Sequence, residues 1–172
     1  MVIDVRSVLR YATFPSRIGM IGLAATQKGV CRLDLNVDPE AFGSDLESRY
    51  GCVALEERSP FTDIRRSLDA YLDGTLQTVT CPIDVIEGTT FQQRVWQALL
   101  RIPWGQVRSY AWVARAIGRP RAARAVGGAT ARNPIAIIVP CHRVVRSDGQ
   151  VGGYGGGSEL KRELLRIERV AV

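Results

Sequence analysis

Ser109-Tyr110-Ala111-Trp112-Val113-Ala114-Arg115-Ala116-Ile117, then Gly118-Arg119-Pro120, then Arg121-Ala122-Ala123-Arg124-Ala125-Val126-Gly127: two short runs of helix-forming residues flank a turn built on glycine and proline. The spacing predicts helices over 109–117 and 121–127 joined by a tight turn, the outline of a helix-turn-helix. A plain helical hairpin has the same outline, so the charge around it has to decide between them.

That charge is one-sided. Residues 88–147 hold ten arginines and no acidic residue. The net charge of +6 divides into about −4 for residues 1–87, with nine Arg/Lys against thirteen Asp/Glu, and about +10 for residues 88–172, with fourteen against four. A field of this kind attracts a polyanion. Lysine occurs only at 28 and 161, so codon usage accounts for arginine over lysine, but it does not account for the missing acids.

On the N-terminal side of the pair, Phe91, Val95, Leu99 and Leu100 with Trp96 form one helical face that Pro103 and Gly105 terminate. On the C-terminal side, an apolar run from Asn133 to Val139 enters Pro140-Cys141-His142-Arg143-Val144. A glycine-rich stretch from Gly149 to Gly157 comes next, and a closing helix spans 160–167. Further back, Val8 to Leu35 reads as a three-stranded antiparallel meander broken at Pro15-Ser16-Arg17 and Gln27-Lys28-Gly29. Ser59 offers an N-cap and Pro60 a first helical position for a helix carrying Phe61, Ile64, Leu68, Tyr71 and Leu72 as far as Gly74. Cys81 to Ile86 is either a last strand or a connector. With the charge changing sign near Gly88, the boundary falls at 82–90, which gives an α/β scaffold domain at 1–82 and a mostly helical domain at 88–172.

No window approaches the ~20 apolar residues of a membrane helix, and Asp4, Arg6 and Arg10 break any signal-peptide core. Four widely spaced cysteines without a Cys-x-x-Cys pair, and a single histidine, predict a reduced, cytoplasmic protein with no structural zinc and no cofactor.

Cys141, between a proline and the only histidine, in the basic half, is the candidate nucleophile. Its chemistry needs the thiolate, and His142 is the only imidazole that can take the proton. Neighbouring side chains on an extended strand diverge, so the pair requires a bridging water or a turn at Pro140. Glu168 is the candidate to orient and polarise His142; a solvated helix residue is the competing reading, since Glu159 and Glu163 lie on the same predicted helix and any of the three could face out.

Ile138-Val139-Pro140-Cys141-His142-Arg143-Val144-Val145 resembles the active-site signature of the O6-alkylguanine-DNA alkyltransferases. The likeness extends through Gly88 to Trp96, Ile102-Pro103-Trp104-Gly105, Ser109-Tyr110, Ala122 to Gly127, Asn133-Pro134, Gly153 to Gly157, Lys161 and Glu168. It implies an N-terminal α/β domain that is ribonuclease-H-like, with a three-stranded antiparallel sheet and a helix, ahead of a helix-turn-helix domain. It implies irreversible, single-turnover transfer of an alkyl group from O6-alkylguanine in duplex DNA to Cys141, with O4-alkylthymine left open.

The same resemblance makes His142 a water-mediated base, Glu168 the carboxylate behind it, Asn133 a brace for the turn and Tyr110 the proton donor to the departing guanine. DNA contacts fall to Arg124, which fills the gap in the base stack, and to Tyr110, Thr130, Ala122, Ala123 and Arg132. A base pocket falls to Tyr154, Gly155, Gly156, Val144 and Lys161. The implied partner is double-stranded DNA, bound through its minor groove with little sequence preference by a monomer, cooperative assembly being left open; extrusion of the base is needed because the alkyl group is unreachable in the stack. Thr130-Ala131, where Asn-Gly is more usual, and Ser158, where a larger apolar residue is common, depart from the pattern and bear on the details of DNA and base contact.

Three other readings compete. A lesion sensor without chemistry would lack the acceptor, which Cys141 supplies. A helix-turn-helix regulator using Arg121, Arg124 and Arg132 would prefer one operator in the major groove. A thiol hydrolase built on Cys141 and His142 has no identifiable oxyanion hole and leaves the basic field unexplained.

Overall fold

The computed structural model describes residues 8–171. The meander forms as expected: β1 (Val8–Ser16), β2 (Gly19–Ala25) and β3 (Val30–Leu35) pair antiparallel. The sheet also has a fourth strand, which the sequence pattern does not reveal. β4 (Val53–Glu56) lies parallel to β1, giving the order β3-β2-β1-β4. A parallel pair needs a crossover, and α1 (Phe42–Tyr50) provides it, ending on Gly51 in the left-handed region. Both elements are short. β4 is a largely exposed edge strand with no alternation to detect, and α1 buries only Phe42, Gly43, Leu46 and Tyr50.

Ser59 does not cap a helix. Its hydroxyl donates to the Glu57 carboxylate at 3.1 Å, and Ser59–Phe61 is a single 3-10 turn leading into α2 (Thr62–Leu72). Ile64, Leu68, Tyr71 and Leu72 form the buried face of α2, and Gly74 comes after it at φ +73°. The 81–86 stretch is a connector that runs along the outer edge of β3, where Val30 N–H donates to Pro82 O and Asp84 N–H to Val30 O. Further along the same edge, Leu33 N–H donates to Pro134 O at 2.9 Å and Ala136 N–H to Leu33 O at 3.1 Å. The segment that leads to Cys141 is therefore bonded to the N-terminal sheet.

α3 (Thr90–Leu99) begins with a capping box between Thr89 and Gln92. The helix pair lies beyond β5 (Arg108–Ser109): Ser109 caps α4 (Tyr110–Ala116), accepting from Trp112 N–H at 3.1 Å. The second helix, α5 (Ala123–Ala131), runs four residues past the expected end. Gly127 and Gly128 stay helical because Val126, Ala129 and Thr130 are buried and Trp96 Nε1 donates to Ala129 O at 2.9 Å. Tertiary packing overrides the ~1 kcal/mol that each glycine costs a helix. β6 (Val144–Val145) pairs parallel with β5, an unforeseen ladder too short to leave a periodic signal. α6 (Ser158–Ile167) closes the chain as expected.

The main core mixes both halves, with Ala12, Phe14, Leu68 and Tyr71 in one cluster with Val95, Leu99, Ile135, Cys141 and Leu164. Among the described residues no helix is long and apolar enough to cross a membrane.

Gly88 sits at φ +91° with the Trp96 ring 2.5 Å from where a Cβ would stand, whereas Gly118, at φ +72°, has nothing within 4 Å of that position. Gly88→Ala should lose about 2–4 kcal/mol, combining backbone strain with a clash, and Gly118→Ala only about 1 kcal/mol. Urea unfolding of the two variants compares them directly, and equal losses would contradict the packing described for Trp96.

Candidate active site

Between Asn133 and Cys141 the backbone turns sharply twice. Ile137 has φ +67°, and Ile138 N–H donates to Ala136 O at 2.7 Å, a γ-turn in the strained left-handed region. Such a conformation in a β-branched residue costs on the order of 1–3 kcal/mol and persists only where its surroundings enforce it. Here they are the burial of Ile137 and the bonds from Leu33 to the residues just before it. Pro140, at φ −82° and ψ 65°, makes an inverse γ-turn with Cys141 N–H donating to Val139 O at 2.8 Å. Cys141–Arg143 then form one 3-10 turn, so Cys141 and His142 leave the backbone from a turn and not from a strand.

Asn133 braces this path. Its Oδ1 accepts from Ile135 N–H at 3.1 Å, while its Nδ2 donates to Val139 O at 2.7 Å and reaches Cys141 Sγ at 3.1 Å. Burial pushes the Cys141 thiol up, opposed by that amide, by the nearby Tyr154 hydroxyl and by the Lys161 charge. The Tyr154 hydroxyl is buried against the thiol with no partner of hydrogen-bond geometry.

His142 is fully buried, and burial lowers its imidazole below the ordinary 6.5, against the pull of Glu168. Its Nε2 lies 2.8 Å from Glu168 Oε1 and 3.2 Å from the Tyr71 hydroxyl, while its Nδ1 is buried without a partner. Glu168, also fully buried, accepts from Tyr71 O–H at 2.6 Å, from Arg143 Nε and Nη2 at 2.8–3.0 Å, and from Gly105 N–H at 3.3 Å. Burial alone would raise its carboxyl, but the donors from His142, Arg143 and Tyr71 outweigh it and hold the group at about 2. Glu159, exposed, and Glu163, half-buried, pair with arginines on the outside of the same helix.

Cys141 forms part of the wall of a cleft of about 740 Å³. Tyr110, Gly127, Thr130–Asn133, Tyr154, Gly155 and Gly156 line it from the C-terminal half, and Arg32, Asn36, Val37 and Arg49 from the sheet side. Thr130 turns its hydroxyl inward to Val126 O at 2.8 Å, and Arg132 is exposed at the rim. An adjoining hollow is lined by Tyr110, Ala123, Arg124 and Arg146, with Arg124 exposed and Ala122 at the start of α5. Val144 and Lys161 do not line the cleft. Lys161 is fully buried, its ammonium donates to Val144 O and Val151 O, and burial lowers it to about 8. It ties β6 to the glycine-rich loop from behind.

Three participants are not legible in the sequence. Arg143 lies within the Cys141 signature, but nothing in the sequence says that it turns inward, with Nη1 donating to Ile102 O at 2.6 Å. Gly105 lies in a stretch that carries the likeness, but nothing there marks its amide as a donor to Glu168. Tyr71 reads as one more apolar position on its helix; the only hint is a phenol among aliphatic residues.

Because the folded-state carboxyl of Glu168 lies below its ordinary 4.5, its contribution is fully present above pH 4.5 and drains away as pH falls toward 2. The difference corresponds to on the order of 3 kcal/mol. Glu168→Gln should cost about 3–5 kcal/mol at neutral pH, since it strands the Arg143 guanidinium, and should flatten the acid limb. Denaturant midpoints between pH 2 and 7 test both; an unchanged acid limb would contradict the assignment.

Both halves of the chain are similar to known proteins. The family model described as 6-O-methylguanine DNA methyltransferase, ribonuclease-like domain, matches residues 9–85, and the one described as 6-O-methylguanine DNA methyltransferase, DNA binding domain, matches residues 90–170. The methylated-DNA–protein-cysteine methyltransferase of Mycobacterium bovis is 56% identical over 94% of this chain and 93% of that protein. The one from Methanosarcina barkeri is 42% identical over 92% and 96%. A crystal structure of Mycobacterium tuberculosis OGT in complex with DNA superposes with a TM-score of 0.79 at 42% identity, covering 93% of this chain and 92% of that one. With both halves matched in order and nearly end to end, this chain belongs to the 6-O-methylguanine DNA methyltransferase family, the methylated-DNA–protein-cysteine methyltransferases.

Proposed function

We propose that this protein repairs O6-alkylguanine in duplex DNA by moving the alkyl group onto Cys141, once per molecule. The observation that carries this reading is the thiol in a cleft wall, on the same 3-10 turn as an imidazole whose Nε2 is held by Glu168 and whose Nδ1 is buried and bare. At neutral pH the pair rests as thiol and neutral imidazole, since burial raises one and lowers the other. Through a bridging water the thiol proton passes to Nδ1, and Glu168 stabilises the imidazolium. The Asn133 amide steadies the thiolate. An S–C bond then forms as the C–O6 bond breaks, the electron pair leaves with guanine, and Tyr110, kept protonated by burial, supplies its proton. The imidazolium then gives its proton up to solvent and the Tyr110 phenolate takes one back, so both groups return to neutral and the net exchange moves the thiol hydrogen to guanine. No second nucleophile frees the sulfur, because the thioether is stable.

The acid-free arginine stretch and exposed Arg124 beside Tyr110 support a DNA-facing α5. The DNA complex of the Mycobacterium tuberculosis relative supports the same partner. We read this contact as minor-groove and nearly sequence-independent, made by a monomer in the cytoplasm, with residues 88–172 carrying DNA and chemistry and residues 1–82 holding them in place. Tyr154, Gly155 and Gly156 are assigned to the extruded base, Arg124 to the vacated stack, and Thr130, Ala122, Ala123 and Arg132 to the surrounding backbone contacts.

Intact-mass spectrometry after mixing with excess O6-methylguanine duplex should show one added methyl on the peptide containing Cys141 and none on Cys141→Ser. Repeated product release, or an unmodified peptide after complete exposure, would overturn the mechanism. The single-turnover rate should hold near neutral pH and fall on the acid side below the ordinary imidazole value of 6.5, as Nδ1 becomes occupied; a rate that stays level through that range would remove His142 as the base.

A further inference from the structure

The protons around His142 can be placed one by one. Glu168, with its carboxyl held at about 2, is an anion at neutral pH and can only accept. The Tyr71 hydroxyl has one proton, and at 2.6 Å from Glu168 Oε1 that proton is committed to the carboxylate. Toward His142 Nε2, 3.2 Å away, the phenol oxygen can therefore act only as an acceptor. Nε2 thus faces two acceptors, Glu168 Oε1 and Tyr71 Oη, and must carry the single hydrogen of the neutral ring. Nδ1, the buried nitrogen without a partner, is the bare one.

We propose, resting on the transferase reading of Cys141, that Tyr71, from the N-terminal half of the chain, is a positioning residue for the transfer: its hydroxyl, spent as a donor on Glu168, accepts from His142 Nε2–H, and the two oxygens together hold the imidazole with Nδ1 free to take the thiol proton. One acceptor at a single ring nitrogen acts as a hinge about which the ring can rock. A second acceptor, mounted on a different element, fixes its plane. Glu168 stands at the end of α6 and Tyr71 on α2, only 1% exposed, so the two anchors belong to opposite halves of the molecule. The remaining partners of the Glu168 carboxylate, Arg143 and the Gly105 amide, spend their hydrogen bonds on it and not on the ring. Among the described residues, Tyr71 is thus the side chain by which the sheet half is hydrogen-bonded to the base itself.

The chain has one histidine, so ¹⁵N-histidine labelling gives a spectrum with a single imidazole, readable without substrate. In the wild type a long-range ¹H–¹⁵N correlation should show Nε2 protonated and Nδ1 bare; a proton on Nδ1 overturns the proposal whatever any variant does. Tyr71→Phe keeps the ring volume and removes only the oxygen. Its Nε2–H resonance should shift, and the transfer rate constant should fall about tenfold, with affinity for the O6-methylguanine duplex kept. Leu68→Ala, a buried position on the same helix face without a polar atom, should lower the melting temperature while the resonance and the rate of the folded fraction stay at wild-type values. If Tyr71→Phe instead matches Leu68→Ala, losing stability alone, Tyr71 is packing and nothing more. Should the spectra behave as expected while no methyl is transferred by any form, the transferase reading fails and the positioning of His142 stands.

Discussion

A buried carboxylate is expensive to desolvate, and the fold around Glu168 can be read as the arrangement that makes it tolerable. Its two oxygens collect donors from α2, from the turn carrying His142 and Arg143, and from the loop at Gly105, so segments separated by nearly a hundred residues converge on one anion. Arg143 extends the cluster by bonding the carbonyl of Ile102 behind α3. Every donor removed would leave the rest less well satisfied, which couples the reacting turn to the packing of both halves. The same saturation leaves His142 with one nitrogen engaged and one free.

In the proposed transfer the reacting residues are ordinary in kind, and it is their placement that would supply the chemistry. Neither group is charged at rest: burial works against the thiolate and against the imidazolium alike. A charge therefore develops only when the proton moves, in surroundings that already contain the Asn133 amide, the Lys161 ammonium and the Glu168 anion. These groups need little reorganisation when it does. Lys161 has a second part in this, since its hydrogen bonds to Val144 and Val151 join the short β6 ladder to the loop that carries Tyr154.

What can be read in the sequence is whatever leaves a local signature. The meander, α3 and α6 each repeat apolar residues at the period of their own geometry, and the Cys141 signature names its residues outright. β4 escapes because a short, exposed strand shows no alternation, and α1 because its period rests on Phe42, Leu46 and Tyr50 alone in nine residues; α5 overruns its expected end because burial of Val126 and Ala129 outweighs two glycines. Glu168 can be nominated but not chosen over Glu159 and Glu163 by pattern, because only tertiary contact distinguishes an inward carboxylate from its solvated neighbours. Tyr71 is the least legible: its helical spacing places it correctly in the core, and its hydroxyl matters only through residues 71 and 97 positions away.

The backbone bonds between Leu33 and residues 134–136 mean that the path to Cys141 behaves as a rider on the outer strand of the opposite half. A recombination event that moved the basic half onto a foreign scaffold would carry the thiol away from the edge that bends its backbone, and a substitution that shifted β3 would be felt at the sulfur. The two halves are mechanically one, since the strand edge of the acidic half holds the backbone that carries the thiol of the basic one.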